Sequence, residues 1–209
     1  MNNNFTEEMI ASLREKVKNE MGEKRYFHTL EVEKMAARLG AIYVPEQIDM
    51  LRVAALLHDV TKERSVEEHI AICKEAGLDA TVGEMESPKM FHARTAALII
   101  PSKYPEFATP EIISAVRYHT TGRADMTMAE KIIYLADYID MSRTFGDCVA
   151  LREFFFAFDF EGTSYEEKVK HLNATLIMSY NLTIAGLLED GKHINKNTFE
   201  ARNFLILEQ

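Results

Sequence analysis

Cysteine is scarce: only Cys73 and Cys148 occur in 209 residues, far apart and in no metal-binding spacing. At most one disulfide can form, and two free thiols in a reducing compartment are the expectation. Basic charge is also short. Lys and Arg total 24 against 33 Asp and Glu, a formal net charge of −9, which argues against broad binding to nucleic acid or to an anionic membrane. A phosphorylated small molecule remains open, because a basic pocket or bound cations reverse the sign locally. No apolar run approaches the ~20 residues of a membrane span, and residues 1–9 are polar, without an apolar signal core. A soluble, cytoplasmic protein is expected. Stretches that alternate apolar and polar residues between turn signals are nearly absent, which removes β architectures. No internal repeat or low-complexity tract is found.

What remains is helix after helix. Apolar residues make up 47% and charged residues 27% of the chain, ordinary for a globular protein, and the length allows one domain with or without a helical extension. Ser65 with Glu68, Thr127 with Glu130 and Ser164 with Glu167 have the capping-box spacing. Thr109 precedes Pro110, a proline at the first helical position, and Pro45 is read the same way; Gly40 and Gly77 stand where helices should end. The pattern predicts helices near 5–21, 24–40, 46–59, 65–76, 89–101, 110–120, 128–143, 147–157, 165–189 and 198–207. Loops near 79–88, 102–108 and 121–126 are the expected rim of a pocket.

The chemistry centres on histidines and aspartates. His58 and Asp59 end the apolar stretch Val53-Ala54-Ala55-Leu56-Leu57, where two ionisable groups must be solvated or employed. Asp59 could bridge two cations while His58 binds one. His28 lies on the preceding helix, His92 opens a later one and His119 ends another, while Asp137 sits within Ile132-Ile133-Tyr134-Leu135-Ala136-Asp137-Tyr138-Ile139 and needs a strong partner there. Four imidazoles and two carboxylates suit iron, manganese or zinc better than magnesium or calcium, which prefer oxygen shells. The alternative is satisfied core histidines with a salt-bridged Asp137. Lys62, Arg25 and Arg143 are within reach of such a cluster and could hold phosphate oxygens, or form surface ion pairs. Thr120, Thr121 and Gly122 beside His119 offer either an oxyanion cradle or an ordinary helix stop.

The order His28 … His58-Asp59 … His92 … His119 … Asp137 resembles the dinuclear branch of the HD superfamily, which is helical and hydrolyses phosphate esters and anhydrides. Arg25-Tyr26-Phe27-His28, Leu56-Leu57-His58-Asp59-Val60-Thr61-Lys62, Phe91-His92, His119-Thr120-Thr121-Gly122 and Ala136-Asp137-Tyr138-Ile139-Asp140 with Arg143 narrow the resemblance to the YqeK family, described as symmetrical diadenosine tetraphosphate hydrolases. The resemblance implies an all-α HD-type bundle with additional C-terminal helices. It implies one domain over 1–209, with the motifs in about 24–145 and a helical extension over about 146–209. It implies two metal ions, iron foremost and manganese or zinc as substitutes. His28, His58, Asp59 and Asp137 would hold one, and His92, His119 and the bridging Asp59 the other. A metal-activated hydroxide would attack an inner phosphate and release two ADP. Asp59, Lys62 and Arg143 would be the catalytic residues, with Arg25, Lys62, Thr120, Thr121, Gly122, Asp140 and Arg143 against the substrate. The chain has Asp140-Met141-Ser142 where that family has Glu-Pro-Asn, and loss of the proline is expected to let the helix run on.

His69, His171 and His193 match nothing in the pattern and are read as surface residues. Phe154, Phe155, Phe156, Phe158 and Phe160 are read as packing, in the core or at a homodimer face, and the methionines as core filler. Competing functions are another HD-type phosphohydrolase (of a nucleoside triphosphate, a guanosine alarmone or a cyclic dinucleotide), a di-iron oxygenase, and a non-catalytic nucleotide-binding module. The basic residues favour a phosphate-bearing substrate over the oxygenase, and metal-dependent turnover separates an enzyme from a regulatory module.

Overall fold

A computed structural model describes residues 5–86 and 90–208. The described residues hold eleven α-helices and no strand. They are α1 (Glu7–Lys18), α2 (Glu23–Tyr43), α3 (Ile48–Leu57), α4 (Val66–Glu75), α5 (Val82–Glu86), α6 (Phe91–Lys103), α7 (Pro110–Tyr118), α8 (Met128–Ile139), α9 (Gly146–Phe156), α10 (Tyr165–Glu189) and α11 (Lys196–Leu207). All three expected capping boxes form, at Ser65, Thr127 and Ser164. Pro110 opens α7 behind the Thr109 cap, and Gly77 follows α4 with φ +71°. Part of the expected 79–88 loop folds as α5, and its residues 87–88, like the first residue of the helix expected over 89–101, lie outside the described residues.

Three boundaries differ for identifiable reasons. Gly40 does not end α2, which continues to Tyr43. A Cβ at Gly40 would lie 2.7 Å from Leu51 Cδ1 and 3.3 Å from Ile48 Cγ1, so the glycine marks where α2 crosses α3 closely. The helix expected to reach Asp59 stops at Leu57 because the His58 ring Nδ1 bonds the Ala55 carbonyl at 2.6 Å, the acceptor the next helical turn would need. The helix expected over 128–143 stops at Ile139 despite the missing proline. Asp140 turns to extended backbone, and its Oδ1 accepts from the Ser142 N–H at 2.8 Å and from the Ser142 hydroxyl; this aspartate turn replaces the proline stop.

The helices α2, α3, α6, α7 and α8 pack on one another around the site. Behind them α10 lies against α2, α8, α9 and α11. One apolar core runs from Ile10, Leu39 and Leu51 through Ile132 and Leu135 to Leu172, Leu176, Tyr180 and Leu205, so the C-terminal helices supply part of the same core. The phenylalanine cluster packs as expected around fully buried Phe155, while Phe154 stays largely exposed.

Candidate metal centre

Five elements converge on one buried point. His28 comes from α2, His58 and Asp59 from the turn after α3, His92 from the first turn of α6, His119 from the end of α7 and Asp137 from α8. His58 and His119 use one device: each terminates its helix and turns its Nδ1 back onto the carbonyl three residues earlier, Ala55 at 2.6 Å and Val116 at 2.7 Å. That bond selects the tautomer with Nδ1 protonated and presents Nε2 inward. His28 is fixed differently, with Nδ1 3.0 Å from Ser142 Oγ and 3.3 Å from Asp140 Oδ2.

Asp59 lies at the centre and is essentially inaccessible. Its two oxygens face different histidine pairs. Oδ2 is 3.5 Å from His58 Nε2 and 3.9 Å from His28 Nε2, while Oδ1 is 3.2 Å from His92 Nε2 and 3.7 Å from His119 Nε2. Asp137 Oδ1 closes the first side, 3.0 Å from His28 Nε2 and 3.8 Å from His58 Nε2. Buried His28 Nε2, His58 Nε2 and Asp59 Oδ1 have no hydrogen-bond partner, and the sets His28/His58/Asp137 and His58/Asp59/His119 each bring their donor atoms within 4.8 Å of one another. Buried polar atoms left open in a convergent shell of imidazole nitrogens and carboxylate oxygens fit a first-row divalent cation.

The charge states of Asp59, Asp137, His92 and His119 agree with ligation, whereas His28 holds a proton that a cation would have to displace. Burial would raise Asp59, but His58, His119 and His92 outweigh it and hold the carboxyl well below its usual range. Burial opposes ionisation of Asp137 too, and Arg143 and His28 keep it low. Burial pushes His92 down to about 3, Asp59 offsetting part of it, and also lowers His119. Both are therefore neutral imidazoles, the form that binds a metal. Burial opposes charge on His28, yet the Asp137 and Asp140 carboxylates push it up to about 9.

The basic residues named from the sequence all reach the cluster, as part-buried ion pairs rather than surface ones. Arg25 Nη1 lies 2.7 Å from Asp59 Oδ2, and Arg143 Nη2 2.5 Å from Asp137 Oδ1. Lys62 Nζ sits 3.1 Å from His92 Nε2 and 3.9 Å from Asp59 Oδ1, its pKa lowered by burial. Thr120 Oγ1 lies 3.2 Å from His92 Nε2.

Other residues sit elsewhere than expected. Asp140 is fully buried behind His28, its Oδ2 3.3 Å from the ring Nδ1, a position that supports the ring. Thr121 and Gly122 are buried as well: the Thr121 hydroxyl donates to the Gly122 carbonyl, and Gly122, at φ +62°, has the Tyr180 hydroxyl where a Cβ would stand. Thr121 and Gly122 thus serve the helix stop, and of the three only Thr120 is part-exposed beside His92. Among the described residues, none of the three expected rim loops lines the cavity that opens beside His28. Its walls are Lys24, Arg25, Phe27 and His28 of α2 and Ser142, Arg143 and Phe145 beyond α8, with Glu63. His171 is half-buried, stacked on Phe158 at 4.2 Å, whereas His193 is exposed as expected.

His69 is the residue that sequence reasoning missed. It is buried, its Nδ1 2.8 Å from Thr95 Oγ1, and Thr95 and Thr61 share a hydrogen bond at 2.9 Å while Thr61 donates to the His92 carbonyl at 2.9 Å. The chain His69–Thr95–Thr61 thus holds the backbone of His92. No local pattern in the sequence marks it, and its role becomes visible once α4 is known to pack on α6.

An all-helical bundle with a buried His/Asp cluster of metal-binding chemistry defines the class. A family model of the HD domain matches residues 25–142. The chain is 30% identical over 190 residues to a symmetrical bis(5'-nucleosyl)-tetraphosphatase of Bacillus subtilis (strain 168), covering 91% of this chain and 94% of that one. It is 33% identical over 135 residues to one from Staphylococcus aureus (strain NCTC 8325 / PS 47), covering 65% and 68%. A solved structure described as a predicted HD superfamily hydrolase involved in NAD metabolism, from Clostridium acetobutylicum, superposes with a TM-score of 0.81 at 31% identity over 95% of this chain and 97% of that one. The chain belongs to the HD domain family, and within it to the YqeK-type branch.

Proposed function

We propose that the protein is a metal-dependent symmetrical diadenosine tetraphosphate hydrolase that releases two ADP. Similarity to the Bacillus subtilis tetraphosphatase over more than nine-tenths of both chains supports the reaction, and Asp59 supports the metal arrangement. One Asp59 oxygen faces His28 and His58, and the other faces His92 and His119, which supports two cations bridged by this carboxylate. Iron is the cation we assign first, with manganese and zinc compatible with the same donors. When bound, such a pair turns water into a nucleophile near neutral pH and draws charge from the phosphoryl oxygens.

The chain's own residues do the rest. His58 and His119 keep Nε2 inward through their carbonyl bonds, and Asp140 with Ser142 aligns His28. Arg25, Lys62 and Arg143 stand at the cluster edge, where they can donate to phosphoryl oxygens as negative charge builds. Their concentration there explains how a chain of net charge −9 accepts a polyphosphate. We further read the chain as a single cytoplasmic domain. Incubating the metal-loaded protein with diadenosine tetraphosphate and separating products by ion exchange should give ADP alone, and none with chelator. AMP with ATP would place the cleavage elsewhere, and no turnover would remove this substrate.

A further inference from the structure

The cavity beside His28, about 510 Å³, is of the size that takes a nucleotide-sized ligand. Two of its lining residues have no structural explanation. Phe27 is 57% and Phe145 70% exposed, so neither ring contributes to the core. Phe145 also occupies the N-cap of α9 without any side-chain cap hydrogen bond, a position that favours Ser, Thr, Asp or Asn. A residue that serves neither core nor helix points to a ligand.

The cavity is graded from one end to the other. At its inner end lie His28 and the guanidinium groups of Arg25 and Arg143, which reach Asp59 and Asp137. Each arginine is followed two residues later by one of the exposed rings, Arg25 by Phe27 on α2 and Arg143 by Phe145 beyond α8. Phosphate-binding chemistry next to the cluster, with flat apolar faces toward solvent, reproduces the order of groups along a nucleoside polyphosphate. The geometry points to a base-stacking subsite formed by Phe27 and Phe145, which takes one of the two purines of a dinucleoside polyphosphate while Arg25 and Arg143 hold the phosphates nearest to it. The assignment rests on the phosphohydrolase reading of the centre and names which residues recognise the nucleoside. Stacking on an aromatic face tolerates any base, so this subsite selects nucleosides over plain polyphosphates rather than adenine over guanine.

The test uses the fluorescence of 1,N6-ethenoadenosine diphosphate on metal-loaded protein, with inorganic tripolyphosphate as competitor. Wild type should quench the ethenoadenine. Phe27→Ala and Phe145→Ala should each weaken its binding about tenfold, leave tripolyphosphate affinity and metal content unchanged, and raise KM for diadenosine tetraphosphate more than they lower kcat. Phe145→Trp should restore binding. Unchanged ethenoadenosine diphosphate affinity in both alanine variants, or equal loss for both ligands, overturns the subsite. Quenching by a wild-type protein that does not hydrolyse diadenosine tetraphosphate would keep the subsite and discard the hydrolase reading. Hydrolysis with variants that bind like wild type would do the reverse.

Discussion

At the scale of single residues, position in the shell decides what a substitution costs. Among the described residues Asp59 is the one carboxylate that faces both histidine pairs, so Asp59→Ala removes the proposed bridging anion from a fully buried site. Bound metal, measured by elemental analysis, should fall, and hydrolysis should drop to background while the helical circular dichroism persists; full activity with unchanged metal would refute the bridge. The threonine pair behind His92 acts at one remove. Thr95→Val keeps the shape but leaves His69 Nδ1 without its 2.8 Å partner. Leaving a buried group unpaired costs about 1–3 kcal/mol of stability, and loosening a ligand's support typically costs about 10–100-fold in metal affinity. Chelator competition should show that loss, and Thr95→Ser should recover it. The same residues show where sequence reading stops. His58 and Asp137 stand out because an ionisable group interrupts an apolar run, whereas His69 sits between Glu68 and Ile70, and burial alone separates it from a surface histidine.

At the scale of elements, helix starts were legible because a capping box is a contact between residues three apart. Helix ends were less so. Ends at His58 and His119 depend on which way a ring turns, and the end at Ile139 depends on an aspartate folding onto Ser142. Gly40 carries the opposite lesson: a glycine that reads as a stop is a contact point between α2 and α3. Gly40→Ala gains helix propensity, by about 1 kcal/mol, but sets a methyl group 2.7 Å from fully buried Leu51. Overpacking should win, with a net loss of up to about 2 kcal/mol in denaturant unfolding. Because α2 carries both Arg25 and His28, the variant should also bind metal less tightly. A more stable Gly40→Ala protein would mean that α2 and α3 separate freely.

At the scale of the whole molecule, the six ligand candidates tie five elements together, and a bound cation acts as a cross-link present only in the folded state. Removing metal with chelator should lower Tm. At a metal concentration one hundred times Kd the coupling is about 2.7 kcal/mol per site, or about 5–10 °C for a chain of this size; an unchanged Tm would exclude metal from the buried cluster. The all-α class and the cap positions followed from the sequence because periodicity and capping are local properties, and His58, Asp59 and Asp137 stood out as ionisable groups in apolar stretches; His28, His92 and His119 joined them through the motif order that resembles the HD superfamily. The tertiary structure alone decided the rest: that the two oxygens of Asp59 divide the histidines into pairs, that Asp140, Thr121 and Gly122 are buried, and that Phe27 and Phe145 share a cavity. Those facts depend on the approach of helices distant in sequence, and side-chain direction across such an interface is set by packing, which no local pattern of residues encodes.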